Sequence, residues 1–487
     1  MEEPFSTSND GPPGRDRGRR IARWSAPAVA LAIFLLPQPE GLSVAGWHAA
    51  ALCLWMAIWW MTEAVPLAVT ALLPLPLFPA AGILDLETTA ASYANPLIFL
   101  FLGGFLLARS LTVWQLDLWI AGAVVRWVGD SPRRTVGAVM AVTAFLSLWI
   151  SNTAAAMVML PIGLSLAQRA EAPETPGGSD FARATLLGIA YAATIGGMGT
   201  LIGTPPNALF AAYMARVHGI NIGFAEWLLV GLPLVLLLLP LAWWVLTCLA
   251  FRLPRHSVGP RAPVETPRRW AAPQRRTAAV LCLAVVLWLA RPLLEGLLPG
   301  LPLSDAAIAI GSALLLFVLP AGDPGRRRPL LNWAEAEAIR WDVLLLFGGG
   351  LALAEGISAT GLSDWLGGAA FVMEGRVPTA LLLLATCALV LLLGELASNT
   401  AVAAIFLPIG GAVAVGIGEP PETLALAVAL AATLGFMLPV ATPPNAIVYG
   451  TGRIGVRAML RAGALLDLFG LLLVVGVVLA VGGWVFG

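Results

Sequence analysis

The sequence is dominated by apolar segments long enough to cross a lipid bilayer. They fall at about 26–37, 46–61, 65–83, 97–125, 136–168, 183–215, 224–250, 277–297, 304–319, 341–366, 379–417, 423–451 and 462–486. A transmembrane helix needs roughly 20 apolar residues, whereas a membrane β-barrel shows alternating apolar and polar residues in segments of about ten. The continuous apolar runs therefore predict an all-α polytopic membrane protein.

Composition agrees with this class and gives no sign of an enzyme. Hydrophobic residues make up 59% of the chain and charged residues 11%, against about 25% charged in soluble domains. No nucleophile with a base, no carboxylate pair and no metal-ligand spacing stands out, and the sequence lacks a GxxxxGK[ST] nucleotide motif. The cysteines are dispersed through apolar segments, where they are typical of buried thiols: Cys53, Cys248, Cys282 and Cys387.

The arginines predict the topology. The loops at 126–134, 169–183, 252–276, 320–340 and 453–461, together with the N-terminal tail, hold every arginine except Arg109, Arg216, Arg291 and Arg376. All these loops lie on the cytoplasmic side if the tail is cytoplasmic and if 136–168 and 379–417 are re-entrant hairpins rather than spans. The positive-inside rule thus predicts about eleven transmembrane helices plus two re-entrant hairpins.

The same reasoning divides the chain into four parts. They are a basic cytoplasmic tail (1–25), a first half (26–251) with hairpin 136–168 and broken helix 183–215, an Arg/Pro-rich cytoplasmic linker (252–276), and a second half (277–487) with hairpin 379–417 and broken helix 423–451. An odd number of spans separates the hairpins, so they open to opposite sides of the membrane. This is an inverted-topology repeat, as in many secondary transporters. Arg-rich cytoplasmic loops are ordinary in membrane proteins, so we expect no nucleic-acid partner.

Polar motifs recur in the same order in both halves. LWISNTAAAMVMLPIG (148–163) matches ELASNTAVAAIFLPIG (395–410), and IGGMGTLIGTPPNALF (195–210) resembles LGFMLPVATPPNAIVY (434–449). Upstream of the hairpins, FLGGFLLA (101–108) resembles FGGGLALA (347–354). One Ser-Asn-Thr triplet alone would be typical of polar residues that join membrane helices. Two paired triplets in an inverted repeat favour a binding site.

The consecutive prolines predict two further interruptions. They remove backbone donors and force the preceding residue out of helical geometry, which is tolerated at membrane depth only where the backbone is buried in protein or lines a cavity. We expect four interruptions to converge on one point. There, helix N-termini can bind an anion, while carbonyl, Asn and Ser oxygens can bind a small cation.

Several ionisable residues lie within or near the apolar segments. Glu395 comes three residues before Ser398, and it is either a cation ligand or a structural partner for a helix end or an arginine. Glu63, Arg109 and Asp117 lie nearer to span ends, where snorkelling or a structural pair is expected.

With these motifs the sequence resembles the divalent anion:sodium symporter family, which contains dicarboxylate, citrate and sulfate transporters. The matching features are SNTAAA (151–156), GTPPN (203–207), FGGGLALA (347–354), SNTAVAA (398–404) and ATPPN (441–445). The resemblance covers the chain from about residue 45 to its end. It implies a homodimer in which a transport domain moves, elevator-like, against a scaffold domain.

The resemblance also implies which residues bind substrate and sodium. The Asn-Thr pairs would bind substrate carboxylates with neighbouring motif residues beside them; the set is Ser151, Asn152, Thr153, Thr204, Pro205, Ser398, Asn399, Thr400, Thr442 and Pro443. One sodium site would use Ser147, Asn152 and the Gly203 backbone, and a second Asn399 and the Ala441 backbone. Asn207 and Asn445, within the two Pro-Pro-Asn motifs, complete the predicted cation-binding set.

One position departs from the family pattern. Gly394 stands where the family commonly has a hydroxyl residue and where the first copy has Ser147. The second cation site therefore lacks a side-chain oxygen, so coupling there can rely on backbone carbonyls, be weaker or be absent.

The sequence thus favours a sodium-driven importer of small di- or tricarboxylates such as succinate, in a bacterial inner membrane with a cytoplasmic N-terminus. One alternative is a sodium-independent dicarboxylate exchanger, and another is a transporter of sulfate or another inorganic anion with the same fold. An intramembrane enzyme or a receptor is a third, and no catalytic constellation in the sequence favours it.

Overall fold

A computed structural model describes residues 13–125, 131–170, 179–254, 270–297, 303–322, 328–371, 375–482 and 485. Residues 1–12 of the predicted tail and 255–269 of the predicted linker lie outside the described residues. The described ranges are helical, with one isolated β-bridge between Pro320 and Pro329.

The first half contains helices of very different length. In chain order they are α1 (Pro13–Leu35), α2 (Val44–Thr62), α3 (Leu67–Thr70), α4 (Pro74–Ala80), α5 (Leu86–Ala91), α6 (Pro96–Val113), α7 (Leu116–Val125), α8 (Pro132–Ser147), α9 (Asn152–Ala170), α10 (Asp180–Gly197), α11 (Pro205–His218) and α12 (Phe224–Trp244). A π-helical turn, Val245–Ala250, extends α12.

The second half repeats this mixture. Its helices are α13 (Ala272–Leu297), α14 (Asp305–Val318), α15 (Trp333–Ala336), α16 (Trp341–Ala359), α17 (Leu362–Ala370), α18 (Thr379–Gly394), α19 (Asn399–Gly416), α20 (Pro421–Thr433), α21 (Pro443–Tyr449) and α22 (Val456–Val477).

Seven helical stretches among the described residues are long and apolar enough to cross a membrane: Val44–Thr62, Leu86–Val113, Phe224–Ala250, Ala272–Leu297, Trp341–Ala359, Asn399–Gly416 and Val456–Ala480. Shorter apolar helices accompany them, including Thr379–Gly394 and Pro421–Thr433. The prediction of a helical polytopic membrane protein is confirmed. The count of about eleven spans and the re-entrant course of the hairpins stay predictions.

Each Ser-Asn-Thr triplet lies at the junction of two helices. We call α8 and α9 the first hairpin, joined by residues 148–151, and α18 and α19 the second hairpin, joined by 395–398. Helices α8 and α18 have 16 residues each, which corresponds to about 24 Å at about 1.5 Å per residue. This is shorter than a hydrocarbon core of about 30 Å.

The centre of the molecule is formed by α10 and α20, whose residues are nearly all buried. Helix α10 packs against both helices of the first hairpin, and α20 packs against both helices of the second. Small residues permit this close contact, as at Gly196, where an added Cβ would lie 2.3 Å from the carbonyl oxygen of Ala144.

Candidate binding site at the paired motifs

Four helices begin at one cavity of about 350 Å³. Helix α9 starts at Asn152, α11 at Pro205, α19 at Asn399 and α21 at Pro443, and all four residues line the cavity. The first turn of a helix has backbone N–H groups without intrahelical partners and carries the positive end of the helix dipole. Helices α9 and α19 therefore offer N–H donors to an anion, whereas α11 and α21, whose first two residues are prolines without an N–H, contribute the positive ends of their dipoles.

The Pro-Pro pairs start helices rather than interrupt them. Pro205 and Pro443 take the first helical position, where a missing N–H removes no helical hydrogen bond. The preceding threonines, Thr204 and Thr442, are extended. The non-helical segments thus come before the prolines, at residues 198–204 and 434–442, which we call the first and second breaks.

The asparagine of each Pro-Pro-Asn motif supports its break. Asn207 Nδ2 donates to the carbonyl oxygens ten and seven residues earlier, on Gly197 (3.1 Å) and Thr200 (2.8 Å). Asn445 Nδ2 repeats this pattern, with both distances 3.0 Å. The Oδ1 atoms of both asparagines are buried and have no hydrogen-bond partner among the described residues. Their nitrogens are therefore structural, and their oxygens are available to a cation.

Three oxygen atoms cluster behind the first hairpin tip. Ser147 Oγ lies 2.8 Å from Asn152 Oδ1 and 2.6 Å from the carbonyl oxygen of Ala193, and Ser147 is fully buried. A hydroxyl has one hydrogen, so it can donate to one of these oxygens at a time. An oxygen-rich cluster with a single proton suits a hard cation.

The second hairpin has a glycine at the equivalent place, with room for a Cβ in ordinary van der Waals contact. A Cβ added to Gly394 would lie 3.6 Å from the carbonyl oxygen of Ala432, 3.7 Å from that of Leu434 and 3.8 Å from Asn399 Oδ1. Asn399 Oδ1 is buried and, within the described ranges, accepts no hydrogen bond. Three oxygens therefore surround the position that a hydroxyl side chain would occupy.

All ten residues expected to contact substrate line the one cavity: Ser151, Asn152, Thr153, Thr204, Pro205, Ser398, Asn399, Thr400, Thr442 and Pro443. Of the expected cation ligands, Asn152, Gly203, Asn399 and Ala441 also line it. Ser147, Asn207, Gly394 and Asn445 are buried and do not line it.

The cavity has an apolar wall and a charged end that sequence reasoning missed. Phe101 and Phe105 of α6 contribute to the wall; they belong to the repeated stretch FLGGFLLA (101–108), which sequence analysis did not connect with the binding site. Glu63, Arg340 and Asp342 lie at the charged end. Arg340 makes two hydrogen bonds to Asp342, at 2.9 and 2.8 Å, which raise the pKa of Arg340 above its ordinary value.

Glu63 and Arg109, which lie near span ends, have structural partners, as expected. Glu63 pairs with Arg19 at 2.6 Å, and Arg109 Nε donates to the carbonyl oxygen of Glu335 at 3.0 Å. Asp117, in contrast, is buried and accepts a hydrogen bond from the N–H of Leu118, so snorkelling does not describe it.

Glu395 does not line the cavity. It is 2% exposed, and its two oxygens accept hydrogen bonds from the N–H groups of Met437 and Leu438 in the second break, both at 2.8 Å. These contacts favour the structural alternative over a cation ligand.

Comparison of the sequence with known proteins places it among transporters. A family profile described as sodium:sulfate symporter transmembrane region matches residues 19–487. A sodium-dependent dicarboxylate transporter SdcS of Staphylococcus saprophyticus is 39% identical over 474 residues, covering 95% of this chain and 91% of the relative. A protein of the same name from Staphylococcus aureus strain MRSA252 is 37% identical over 488 residues, covering 98% and 92%.

Solved structures share the fold at low sequence identity. The YdaH transporter of Alcanivorax borkumensis aligns with a TM-score of 0.58 and 18% identity, over 90% of this chain and 100% of that one. MtrF of Neisseria gonorrhoeae, described as an antimetabolite efflux pump, aligns with a TM-score of 0.54 and 15% identity, over 81% and 83%. These likenesses concern the fold alone.

Proposed function

The chain belongs to the sodium:sulfate symporter family, as the motif resemblance predicted, and we propose that it is a secondary active transporter that imports small di- or tricarboxylates together with sodium. The observation that carries this proposal is the meeting of four helix N-termini at one cavity, with an oxygen-rich cluster beside each hairpin tip. The names of the staphylococcal relatives, sodium-dependent dicarboxylate transporters, support the same substrate and ion. The relatives are transporters, consistent with a chain that is not an enzyme.

The cavity suits a small dianion. Its volume of about 350 Å³ is at the lower end of ligand pockets, which span about 300–1,000 Å³. One carboxylate would contact the Ser-Asn-Thr triplet and helix start of the first half, and the other those of the second. Arg340, the arginine that lines the cavity in the described ranges, already pairs with Asp342. The substrate is therefore held by dipoles and neutral side chains, which permit its release.

Sodium would balance the charge of the substrate. Moving uncompensated charge through the membrane field costs about 2.3 kcal/mol per charge per 100 mV. The first sodium site would use Ser147, Asn152 and the backbone at Gly203, and the second Asn399 and the backbone at Ala441 beside Gly394. Sodium bound first would neutralise and order both hairpin tips before the anion bridges them.

The charged end of the cavity supports an inward-facing arrangement. Glu63 pairs with Arg19 of the predicted basic tail, and Arg340 lies in a loop that the positive-inside rule assigns to the cytoplasm. We place the chain in a bacterial inner membrane with its N-terminus inside. Alternating access would move the two hairpins and the helices that follow them, elevator-like, against a scaffold in a homodimer.

The deciding experiment is uptake of labelled succinate into proteoliposomes, with and without an inward sodium gradient. A second set of vesicles is preloaded with unlabelled succinate. Uptake that requires sodium supports symport, and uptake that requires only internal succinate contradicts it. Empty vesicles correct for passive leakage.

Gly394 favours one second candidate, a sodium-independent exchanger, because a glycine supplies no side-chain oxygen to the second cation site. The preloaded vesicles distinguish this candidate. The name of the family raises sulfate as a substrate, and competition of excess sulfate with labelled succinate tests it.

A further inference from the structure

The second break is fixed by side chains outside the cavity. Glu395 accepts hydrogen bonds from the N–H groups of Met437 and Leu438. Asp467 Oδ2 of α22 accepts one from the N–H of Phe436 at 3.2 Å. Glu395 and Asp467 thus bind adjacent N–H groups of one backbone segment, and both residues are at most 3% exposed. Three consecutive backbone N–H groups of the break thus face two buried acids.

The first break is joined to its hairpin at the equivalent positions, and in both halves the break donates and the hairpin accepts, but the side chain comes from the break in the first half and from the hairpin in the second. Leu148 precedes Ser-Asn-Thr in the first copy as Glu395 does in the second, and Thr200 precedes its Pro-Pro-Asn as Leu438 does. In the first half, Thr200 Oγ1 donates to the carbonyl oxygen of Leu148 at 2.6 Å. In the second half, the hairpin side chain instead accepts from the backbone of the break.

In the first half, a neutral hydrogen bond is sufficient to join the break to the hairpin, whereas in the second half a buried carboxylate joins them. Burying a carboxylate is expensive unless it is fully hydrogen-bonded, and removing its partners or its charge disturbs the surroundings strongly. The second half also differs at Gly394, which precedes Glu395 directly and supplies no side-chain oxygen to its cluster. The oxygen cluster beside Gly394 therefore consists of other oxygens, including the carbonyls of Ala432 and Leu434. The positions of these carbonyls depend on the backbone where α20 ends.

We propose that Glu395, together with Asp467 at the neighbouring N–H of Phe436, is a positioning residue for the second cation site. By holding the N–H groups of Met437 and Leu438, it fixes the second break so that the Leu434 carbonyl stays directed at the space beside Gly394. A site built mainly from backbone oxygens depends on such a constraint more than one with its own hydroxyl. This inference rests on the proposed sodium coupling.

The test compares Glu395→Gln and Asp467→Asn with Glu422→Gln in proteoliposomes. A glutamine has one acceptor oxygen, and its NH₂ would face a backbone N–H, so one hydrogen bond is lost and two donors oppose each other. Glu422 is a matched control, because it is an equally buried glutamate of the second half that does not contact the break. Two quantities are measured: the half-saturating sodium concentration at saturating succinate, and the succinate KM at saturating sodium.

We expect Glu395→Gln to raise the half-saturating sodium concentration about ten-fold, the lower limit for loss of a residue that orients metal ligands. Asp467→Asn should shift it less and in the same direction. The succinate KM at saturating sodium should stay near that of the wild type, and Glu422→Gln should change neither quantity. A purely structural role would lower the amount of folded transporter and the maximal rate without moving the sodium dependence.

An unchanged half-saturating sodium concentration in folded Glu395→Gln overturns the inference. If that variant does not elute as a single species in detergent, Asp467→Asn decides by the same measurement. Failure of the proposed function can be distinguished from failure of this inference, because the wild-type protein itself would then take up succinate without sodium.

Discussion

The two breaks share their backbone framework and differ in the side chains that complete it. In each, an asparagine amide binds the carbonyls ten and seven residues earlier, and a link joins the break to its hairpin. The first half completes its oxygen cluster with Ser147, whereas the second has Gly394 and a carboxylate next to it. The comparison teaches that a duplicated site can keep its geometry while the source of its oxygens moves from side chain to backbone.

The largest effect is expected where the two halves agree. Asn152→Ala and Asn399→Ala each remove an amide that lines the cavity next to a helix start. Hydrogen bonds to charged groups contribute about 1.5–3 kcal/mol, so each change should lower succinate uptake by about 10- to 100-fold. Uptake is normalised to the folded protein recovered by size-exclusion chromatography. Wild-type rates in both variants would remove the site assignment.

Adding a methyl group at two equivalent glycines, Gly197 and Gly435, tests whether the two halves are packed alike. A Cβ on Gly197 would lie 2.3 Å from Asn152 Oδ1, whereas a Cβ on the equivalent Gly435 would lie 3.4 Å from Ala441 Cβ. Overpacking costs about 1–3 kcal/mol, so Gly197→Ala should reduce uptake about ten-fold and Gly435→Ala about two-fold at most. Initial rates of succinate uptake give both values. Equal losses would show that the halves are sterically alike.

Exchanging the hydroxyl sharpens the comparison of the oxygen clusters. Ser147→Ala should raise the half-saturating sodium concentration by about five-fold, since one oxygen contact of about 1 kcal/mol is lost. Gly394→Ser should lower it by a similar or smaller factor, because the added side chain enters a space with three oxygens at 3.6–3.8 Å from its Cβ. Sodium titrations of uptake measure both. If neither variant shifts the titration, the clusters do not bind the coupling ion.

The smallest effect concerns the hydrogen bonds that join the second break to its hairpin through Glu395. Glu395→Leu combined with Leu438→Thr would rebuild in the second half the bond that Thr200 makes to Leu148 in the first. Because one neutral hydrogen bond of about 1 kcal/mol replaces two to a carboxylate, we expect a recovery of about three-fold in sodium affinity over Glu395→Leu alone. The sodium titration of the single variants supplies the baseline. A double variant no better than Glu395→Leu would mean that the two links are not equivalent.

The repeated motifs made much of this site predictable. Ser-Asn-Thr and Pro-Pro-Asn are polar or proline-rich interruptions in apolar sequence. At membrane depth they are tolerated only where the backbone is buried in protein or lines a cavity, so their convergence could be expected. The helix starts at Pro205 and Pro443 follow from the same chemistry.

Other residues of the site could not be recognised from the sequence. Phe101 and Phe105 lie in the repeated stretch FLGGFLLA, but nothing in its apolar residues indicates that they face a cavity, and Asp467 comes to Phe436 only through the packing of α22. Glu395 was ambiguous for a different reason. A buried acid binds a cation or backbone donors equally well in principle. Only the positions of Met437 and Leu438 in the structure decide that Glu395 binds backbone donors.

Tyr191 has a further consequence. It lies on α10, the helix that ends at the first break, and its hydroxyl donates to the carbonyl oxygen of Phe436 in the second break at 2.8 Å. A shift of α10 is therefore transmitted to the second break by one direct bond. Where two binding events are coupled, each changes the affinity of the other by the same factor. If sodium binds at both proposed cation sites, we accordingly expect the two binding events to be cooperative, with a sigmoidal dependence of transport on sodium concentration.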